Sequence, residues 1–338
     1  MPVQLDDTAG GKARAPMTTT PNLTRIDRTM QAGMDLAGER LDQVAGQLWP
    51  DFSRARLQKW IRDGVLTLDG RRCKPSERLS GGEQLRLAVT LQAEGDDVAE
   101  DIPLSLIHED EDVIVLDKPA GLVVHPAAGH ASGTLLNALL HHRPELQALP
   151  RAGIVHRLDK DTTGIMVVAA SLRAHHALVQ QLQDRSMGRI YECVALGALA
   201  REGTVDAPIG RHPVNRVRMA VIPDGKPAVT HYRVLRRFDH FTHLEVSLET
   251  GRTHQIRVHL AHEGHPLAAD PLYGRRSSRI SGLAEPVREE LEALGRQALH
   301  ARTLAFRHPA DEQPRRFEAP LPADFTGLLQ RLEAEDAP

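Results

Sequence analysis

The sequence predicts an α+β protein in which a small α/β domain precedes a larger domain built on a mixed or antiparallel β-sheet with peripheral helices. The chain has 338 residues, and at about 100 to 200 residues per domain this length favours two domains. The composition changes at residues 92–117, which contain ten acidic residues and no lysine or arginine. After this stretch, short β-type segments alternate irregularly with helices, which is typical of an α+β domain and not of a doubly wound sheet.

The overall composition favours a cytoplasmic protein without membrane association. Cys73 and Cys193 lie far apart and match neither a disulfide framework nor a metal motif, as expected in a reducing compartment. The N-terminus lacks the apolar core of a signal peptide, and no apolar run approaches the roughly 18 residues of a membrane span. The formal net charge is only −3, but the charges are unevenly distributed along the chain.

Two segments are predicted to lack regular structure. Residues 1–33 are rich in Gly, Thr, Pro and Ala without a periodic apolar pattern, so we expect a disordered tail. Residues 91–104 carry acidic side chains between the two domains, and we expect an exposed acidic linker. The folded domains are then predicted for residues 36–90 and 105–335.

The first domain begins with two helices. Apolar residues between Leu41 and Leu48 have helical spacing, and a second helix begins near Ser53, whose hydroxyl can cap its first turn, and ends at Gly64. A strand over residues 65–68, a tight turn at Asp69 and Gly70, and a return strand from residue 71 should follow. Residues 84–89 form the next predicted strand.

The second helix is strongly basic. Residues 51–89 contain nine basic and five acidic residues, and on this helix Arg54, Arg56, Lys59 and Arg62 fall mostly outside the apolar stripe. Such a face is either simply solvated or follows the phosphates of a nucleic acid, because Lys and Arg release counterions when they meet a polyanion. The order of helix, Gly, strand, turn and Arg resembles the S4 RNA-binding domain, which favours the second interpretation.

The second domain should contain further strands and helices. We predict strands at residues 113–116, 164–170, 189–196 and 242–248, and helices at 171–183, 254–262, 285–294 and 323–333. In the helix from Ser171, which caps it, the predicted inner stripe comprises Leu172, Leu178, Val179 and Leu182.

The most informative stretch is residues 153–164 (GIVHRLDKDTTG), a charged loop between two apolar strands. Loops held by rigid strands often carry catalytic groups, but Asp159 and Asp161 could equally accept local backbone hydrogen bonds in an ordinary turn. His-Arg-Leu-Asp followed by Thr-Thr-Gly resembles the signature of the RluA-type pseudouridine synthases. Other segments of this family's pattern occur in the expected order: residues 117–126 (DKPAGLVVHP), 189–193 (RIYEC), 251–259 (GRTHQIRVH), 270–274 (DPLYG) and 297–301 (QALHA).

The resemblance implies three catalytic residues. Asp159 would be the essential carboxylate, which either attacks the sugar or takes a proton from it and stabilises charge at C1′. Arg257 would keep this carboxylate ionised in a dry pocket. Tyr191, on one strand face with Cys193 and Ala195, would stack on the target base and transfer a proton. From the residues alone, Arg257 could be a surface side chain and Tyr191 a packed sheet residue.

Further contacts to RNA also follow from the resemblance. Arg157 would fill the gap left by a flipped uridine, or otherwise contact a phosphate, and Ile256 would pack against the uracil or belong to the core. The isomerisation moves neither electrons nor phosphoryl groups, so no cofactor is expected. His254, His259, His262 and His265 suggest metal ligands, but they lack a zinc motif, so no metal is expected either.

Within the family, the S4 domain together with residues 225–232 (GKPAVTHY) is most similar to the large-subunit synthase D branch. This implies site-specific isomerisation of uridine in 23S rRNA or a large-subunit precursor, in the stem-loop that bridges the ribosomal subunits. Because the chain itself carries all the segments of this pattern, we expect a monomer. Two alternatives are a non-catalytic RNA-binding assembly factor and a metal-dependent hydrolase built on the histidines.

Overall fold

The fold is taken from a computed structural model that describes residues 24–49, 52, 54–91, 98–126, 130, 132–274 and 280–336. The described residues divide into two compact units. Residues up to 45 and 57–91 form the first unit, and residues 46–56 and those from 98 onwards belong to the second. The domain boundaries given above stay predictions.

A three-stranded antiparallel sheet and two helices characterise the N-terminal part. In chain order these elements are β1 (Thr24–Gln31), a 3₁₀ turn (Met34–Leu36), α1 (Leu41–Leu48), α2 (Arg54–Asp63), β2 (Leu66–Leu68) and β3 (Gln84–Leu91). The strand order is β1-β3-β2. The predicted helices are confirmed and Gly64 ends α2 with a φ of 76°, but Ser53 and its predicted cap lie outside the described residues.

Strand β1 corrects the predicted tail. Residues 24–31 pair antiparallel with β3 along their whole length, so the expectation of disorder up to residue 33 is wrong for this stretch. The segment has little apolar periodicity of its own, because its hydrogen bonds come from a partner strand about 60 residues away in sequence. The rest of the predicted tail, residues 1–23, lies outside the described residues.

The turn at Asp69 and Gly70 has the predicted two-residue geometry. Both residues have positive φ angles, 47° and 76°, and Leu68 and Arg71 exchange backbone hydrogen bonds of 3.0 and 2.9 Å. The predicted return strand is wrong, because its pairing stops at this single bridge. Strand β2 instead pairs with β3, and the carboxylate of Asp69 accepts the backbone N–H of Gln84 at 2.7 Å.

The second unit is built on a nine-stranded mixed sheet. Its strands are β4 (Ser105–Glu109), β5 (Val113–Lys118), β6 (Thr163–Ala169), β7 (Gly188–Leu196), β8 (Gly203–Asp206), β11 (Val229–Arg237), β12 (Phe241–Leu248), β13 (Leu299–Arg307) and β14 (Pro314–Glu318). Their order in the sheet is β4-β5-β6-β13-β7-β12-β11-β8, with β14 paired to β13, and β6 and β13 run parallel. Strands β9 (Ile209–Arg211) and β10 (Met219–Val221) form a separate hairpin. The predicted α+β class with a mixed sheet is confirmed.

The described residues of this unit also form five helices and two 3₁₀ turns. They are α3 (Leu135–His142), the 3₁₀ turns Pro144–Ala148 and Pro150–Gly153, α4 (Leu172–Gln183), α5 (Gln255–His262), α6 (Glu285–Leu294) and α7 (Ala323–Glu335). Ser171 caps α4 by accepting the N–H of Ala174 at 3.0 Å, as predicted. Among the described helices, none combines the length and apolar character needed to cross a membrane.

The predicted buried stripe of α4 is partly wrong. Leu178 is fully buried, but Leu172 is 42% exposed and the buried positions beside Leu178 are Ala174 and Gln181. Leu172 is the first helical residue, where the chain has just left the sheet, so its side chain has no sheet surface to cover. Gln181 is buried because its amide exchanges hydrogen bonds with the backbone of Arg307.

Candidate active site

A cleft of about 710 Å³ opens in the second unit. The loop before β6, the start of β7 and the segment that enters α5 supply most of its walls. Among the described residues, five arginines and one carboxylate line it: Arg151, Arg157, Arg189, Arg252, Arg257 and Asp159. A cleft with this excess of positive charge favours an anionic ligand.

Asp159 and Arg257 meet in the cleft, although they are 98 residues apart. Nη1 of Arg257 donates to Oδ2 of Asp159 at 2.9 Å. The Arg257 side chain is 4% exposed and that of Asp159 19%, so the carboxylate faces the cleft while its partner lies behind it. Among the described residues, the second carboxylate oxygen of Asp159 receives no hydrogen bond, which leaves it accessible to a ligand.

Asp270 fixes the other side of the same guanidinium. Its two oxygens accept from Nε and Nη2 of Arg257 at 2.7 and 2.9 Å, and Oδ1 also accepts the backbone N–H groups of Leu272 and Tyr273. Burial opposes a charged arginine, but the hydrogen bonds to Asp270 and Asp159 outweigh it and raise the pKa of Arg257. Sequence reasoning marked residues 270–274 by resemblance but assigned no role to Asp270, because nothing in the spacing links it to Arg257.

His254 and Tyr273 complete the surroundings of Asp159. His254 precedes α5 in a left-handed conformation with a φ of 56°, and its Nε2 lies 3.8 Å from Oδ2 of Asp159. Its Nδ1 and the hydroxyl of Tyr273 are 3.0 Å apart. Burial lowers the pKa of His254, so the imidazole is neutral near pH 7. The Tyr273 ring also faces the guanidinium of Arg257 at 5.2 Å.

Tyr191 lines the cleft from β7. It is buried, with 8% of its surface exposed, and shares one strand face with Cys193 and Ala195, as predicted. Burial raises the pKa of its hydroxyl, and the nearby charge of Asp159 adds to this effect. The structure thus brings together Asp159, Arg257 and Tyr191, the three residues that the sequence selected as catalytic candidates.

Lys118 holds the loop that carries Asp159. The lysine is fully buried at the end of β5, and its ammonium donates to the backbone carbonyls of Pro119, Leu122 and Lys160 at 2.7, 3.0 and 2.8 Å. Burial lowers its pKa to about 8, and the charges of Asp161 and Asp159 oppose this effect. Within the segment 117–126, this lysine therefore connects the end of β5 to the loop that carries Asp159.

Comparisons with known proteins agree with this geometry. The family described as RNA pseudouridylate synthase matches residues 112–262, and the S4 domain matches residues 39–85. The chain is 54% identical over 310 residues to the ribosomal large subunit pseudouridine synthase D of Pseudomonas aeruginosa, covering 92% of this chain and 97% of that protein. The chain belongs to the RNA pseudouridylate synthase family. The predicted enzyme class, an RNA pseudouridine synthase, and the resemblance to the synthase D branch are thereby confirmed.

Other relatives support membership of this family. The synthase D of Escherichia coli K12 is 48% identical over 312 residues, covering 92% of this chain and 96% of that protein. Among solved structures, human RNA pseudouridylate synthase domain containing 4 is similar with a TM-score of 0.52 and 27% identity, covering 68% of this chain and 93% of that one. The pseudouridine synthase fold is therefore shared across distant members of the family.

The remaining predicted RNA-contacting residues have different positions. Arg157 is exposed on the cleft loop, and Ile256 is 4% exposed and lines the cleft from α5. Arg54, Lys59 and Arg62 are exposed on α2. The side chain of Arg56 lies outside the described part of the structure.

Two of the histidines considered as metal ligands have other hydrogen-bond partners. Both ring nitrogens of His259 have partners, the hydroxyl of Thr230 and the carbonyl of Ala207, each at 2.9 Å, and His265 contacts the carbonyl of Leu196. The expectation that no metal is needed stays a prediction.

Another histidine pair within the described residues meets a carboxylate away from the cleft lining. His108 and His308 both contact Asp110 at 2.9 Å. Nδ1 of His308 accepts the backbone N–H of Ala310, so its Nε2 carries the proton and donates to the carboxylate. This arrangement is a hydrogen-bonded clamp and not a set of free ligands.

Proposed function

We propose that this synthase isomerises specific uridines of large-subunit (23S) ribosomal RNA, in the stem-loop that bridges the two ribosomal subunits. The relatives named above modify the ribosomal large subunit according to their names, and the alignment with them covers more than nine tenths of this chain. The observation that carries the proposal is a carboxylate, Asp159, that is accessible in a basic cleft and fixed by a buried arginine.

The arrangement suits a reaction at the anomeric carbon. The bond from uracil N1 to C1′ breaks, the base turns, and C5 bonds to C1′; C5 loses a proton and N1 gains one, so the composition of the nucleotide is unchanged. Positive charge develops at C1′ when the first bond breaks, and the carboxylate of Asp159 stabilises it. Arg257 orients the carboxylate of Asp159 through its hydrogen bond, and Asp270 keeps Arg257 in place.

The other cleft residues have roles in holding the base. Tyr191 supplies an aromatic face for the flipped uracil, and its hydroxyl, whose pKa is raised by burial, is protonated near neutral pH and takes part in proton transfer through hydrogen bonds. Ile256 contributes an apolar surface beside it. Arg157, exposed on the rim, fills the gap in the RNA left by the flipped nucleotide.

The proposed reaction also bears on the cofactors, the oligomeric state and the location of the enzyme. Neither an electron nor a phosphoryl group is transferred, so the reaction needs no redox cofactor and no nucleotide. One chain supplies all the residues of the cleft described above, and we therefore propose a monomeric enzyme. Its substrate, ribosomal RNA or an immature large subunit, places the reaction in the cytoplasm, with the S4 domain binding RNA through the exposed basic face of α2.

The test is to incubate wild type and Asp159→Asn with large-subunit rRNA transcript and with immature large subunits, and to map pseudouridine by chemical labelling and primer extension. We expect stops in the bridging stem-loop with wild type and none with Asp159→Asn. Asp161→Asn is the matched control, because Asp161 lies two residues away and does not line the cleft. It should retain activity.

The outcome separates this proposal from a binding role. If wild type leaves no pseudouridine on either substrate but both proteins bind the RNA equally, the non-catalytic assembly factor is the better description. Stops at other positions of the same RNA would keep the activity but contradict the proposed stem-loop.

A further inference from the structure

Arg189 on β7 is a buried arginine without a carboxylate partner among the described residues. It is 8% exposed and lines the cleft. Its Nη2 donates a long hydrogen bond, 3.4 Å, to the backbone carbonyl of Glu249, and its Nε has no partner. The carboxylate of Glu249 is already engaged by Arg185 at 2.8 Å and His231 at 2.9 Å. Burying a guanidinium with so few hydrogen bonds and no opposite charge is unfavourable unless a ligand supplies the missing acceptors and negative charge.

The position of Arg189 points to the ligand in the cleft. Because side chains alternate along a strand, Arg189 and Tyr191 lie on the same face of β7, with Cα atoms about 7 Å apart. Gly251 forms the opposite side: a Cβ atom at residue 251 would lie 2.7 Å from Nη1 of Arg189. The glycine therefore leaves room for the guanidinium in the cleft wall, on the same strand face as Tyr191.

The charge balance of the cleft indicates an anion. The charge of Arg257 is compensated by Asp159 and Asp270, whereas no carboxylate among the described residues pairs with Arg189. A neutral uracil carbonyl would leave this buried charge uncompensated. A phosphodiester neutralises it, and its two terminal oxygens match the fork of a guanidinium.

We infer that Arg189 forms a phosphate subsite that binds the phosphodiester next to the flipped uridine and so positions the nucleotide against Tyr191 and Asp159. The inference rests on the proposed function, because it takes RNA as the occupant of the cleft. Arg189 acts through the position of the nucleotide and is a positioning residue, not a catalytic one.

The experiment measures RNA binding as well as turnover. In the Asp159→Asn background, we would measure the affinity for the large-subunit rRNA transcript across a salt series with Arg189→Gln, Arg189→Lys and Arg185→Gln. Arg185→Gln is the matched control, because it removes the same charge four residues away, from an exposed pair with Glu249. We expect Arg189→Gln to lower the slope of log K against log salt by about 0.7 to 0.9, the value for one phosphate contact, and Arg185→Gln to leave it unchanged.

Turnover then identifies the phosphate. Oligonucleotides of the modified stem-loop would carry one methylphosphonate, 5′ or 3′ of the modified uridine, which removes a single negative charge. On the normal RNA, Arg189→Gln should lose roughly 10- to 100-fold in kcat/KM and Arg189→Lys less. One of the two methylphosphonates should cost wild type a similar factor and cost Arg189→Gln little. The methylphosphonate measurement on wild-type protein tests the phosphate contact even if an Arg189 variant fails to fold.

The outcomes distinguish this inference from the proposed function. If wild type forms pseudouridine but Arg189→Gln is as sensitive to both methylphosphonates as wild type, and its salt slope equals that of Arg185→Gln, the phosphate subsite is wrong and the activity stands. If wild type forms no pseudouridine but the salt slope still depends on Arg189, the proposed function is wrong and the phosphate contact stands.

Discussion

At the scale of single residues, the cleft depends on one arginine between two carboxylates in different surroundings. Asp159 is partly accessible and faces the ligand, whereas Asp270 is fully buried and also accepts two backbone N–H groups. Two hydrogen bonds to Asp270 fix the guanidinium plane, and the remaining Nη1 is aimed at Asp159. Asp270 thus orients the guanidinium of Arg257 towards Asp159.

A substitution at Asp270 should separate positioning from binding. Asp270→Asn leaves the buried guanidinium of Arg257 without the closer of its two charged partners, which destabilises the protein by about 3 kcal/mol. We expect kcat to fall by about 100-fold while RNA affinity changes less than about threefold, since Asp270 is not on the cleft surface. Single-turnover kinetics and RNA binding on protein shown by circular dichroism to be folded provide the measurement.

The matched control for this substitution is Glu245→Gln. Glu245 forms a similar two-bond pair with Arg233, but both side chains are partly exposed on the sheet surface. Glu245→Gln should change the free energy of unfolding by less than about 1 kcal/mol and leave kcat unchanged. Equal kcat values for Asp270→Asn and wild type would show that Arg257 needs no second carboxylate.

At the scale of elements, the loop that carries Asp159 follows the 3₁₀ turn Pro150–Gly153, where an apolar strand was predicted, and it is fixed at its end by β6. Thr163 and Gly164 begin β6 and pair parallel with His300 and Ala301 of β13. Gly164 has a φ of 114°, and a Cβ atom there would lie 2.3 Å from the carbonyl oxygen of Ala301. A side chain at this position cannot be accommodated without separating the two strands.

Gly164→Ala should therefore weaken the fold at the root of the active loop. We expect a loss of roughly 3 kcal/mol in the free energy of unfolding, from the backbone clash and the unfavourable φ together. Chemical denaturation measures this loss. Gly188→Ala on the neighbouring strand β7 is the control, because its Cβ would make an ordinary 3.4 Å contact with Ala305. Similar losses for both variants would contradict the account.

Helix α2 presents an exposed basic face. Arg54, Lys59 and Arg62 are exposed on it, and replacing all three by Ala should weaken binding to large-subunit rRNA and lower the salt slope by roughly 2 to 3, since each phosphate contact accounts for about 0.7 to 0.9. Fluorescence anisotropy across a salt series measures both quantities.

A control triple variant tests whether position matters on this helix. Arg233, Arg315 and Arg316 are also exposed and lie outside α2, where they pair with Glu245, Asp311 and Glu318 respectively. Their replacement by Ala removes the same formal charge and should change the slope little. A slope that falls equally in both triple variants would remove α2 from the RNA interface.

At the scale of the whole molecule, neutral histidines that are buried (His300) or half-buried (His125 and His156) link stability to pH. Burial lowers the pKa of His300 to about 4, and burial together with nearby arginines lowers the pKa values of His125 to about 4 and of His156 to about 3. His156 accepts the backbone N–H of Val167 on its Nε2, a bond that requires the neutral ring. The unfolded chain protonates these rings near pH 6.5, whereas the folded protein does so only at the lower values.

Stability should therefore fall on acidification between pH 6.5 and about 4. In this window the unfolded state binds more protons than the folded state, so the free energy of unfolding decreases as pH falls. The fully buried His300 alone should account for about 2 kcal/mol at pH 4.5. Urea unfolding at pH 7.0 and 4.5 measures the change. His300→Asn should reduce the fall, whereas replacing the exposed His176 should not; equal stability at both pH values would contradict the prediction.

The amino-acid sequence by itself determined the elements whose periodicity or turn chemistry is local. The apolar run that became β6, the capped helix α4 and the two-residue turn at Asp69 follow from neighbouring residues, so they were predictable. The motif around Asp159 also identified the reaction class, because its residue types match a family pattern and do not depend on coordinates.

Only the tertiary structure decided the features that depend on partners far apart in sequence. Strand β1 exists because β3 supplies its hydrogen bonds, and the predicted return strand after Arg71 is absent because β2 takes β3 as its partner instead. Asp270 meets Arg257 only where the end of α5 turns back, and Arg189 enters the cleft through the register of β7. Burial, charge pairing and register are properties of the folded chain, and they assign each residue its task.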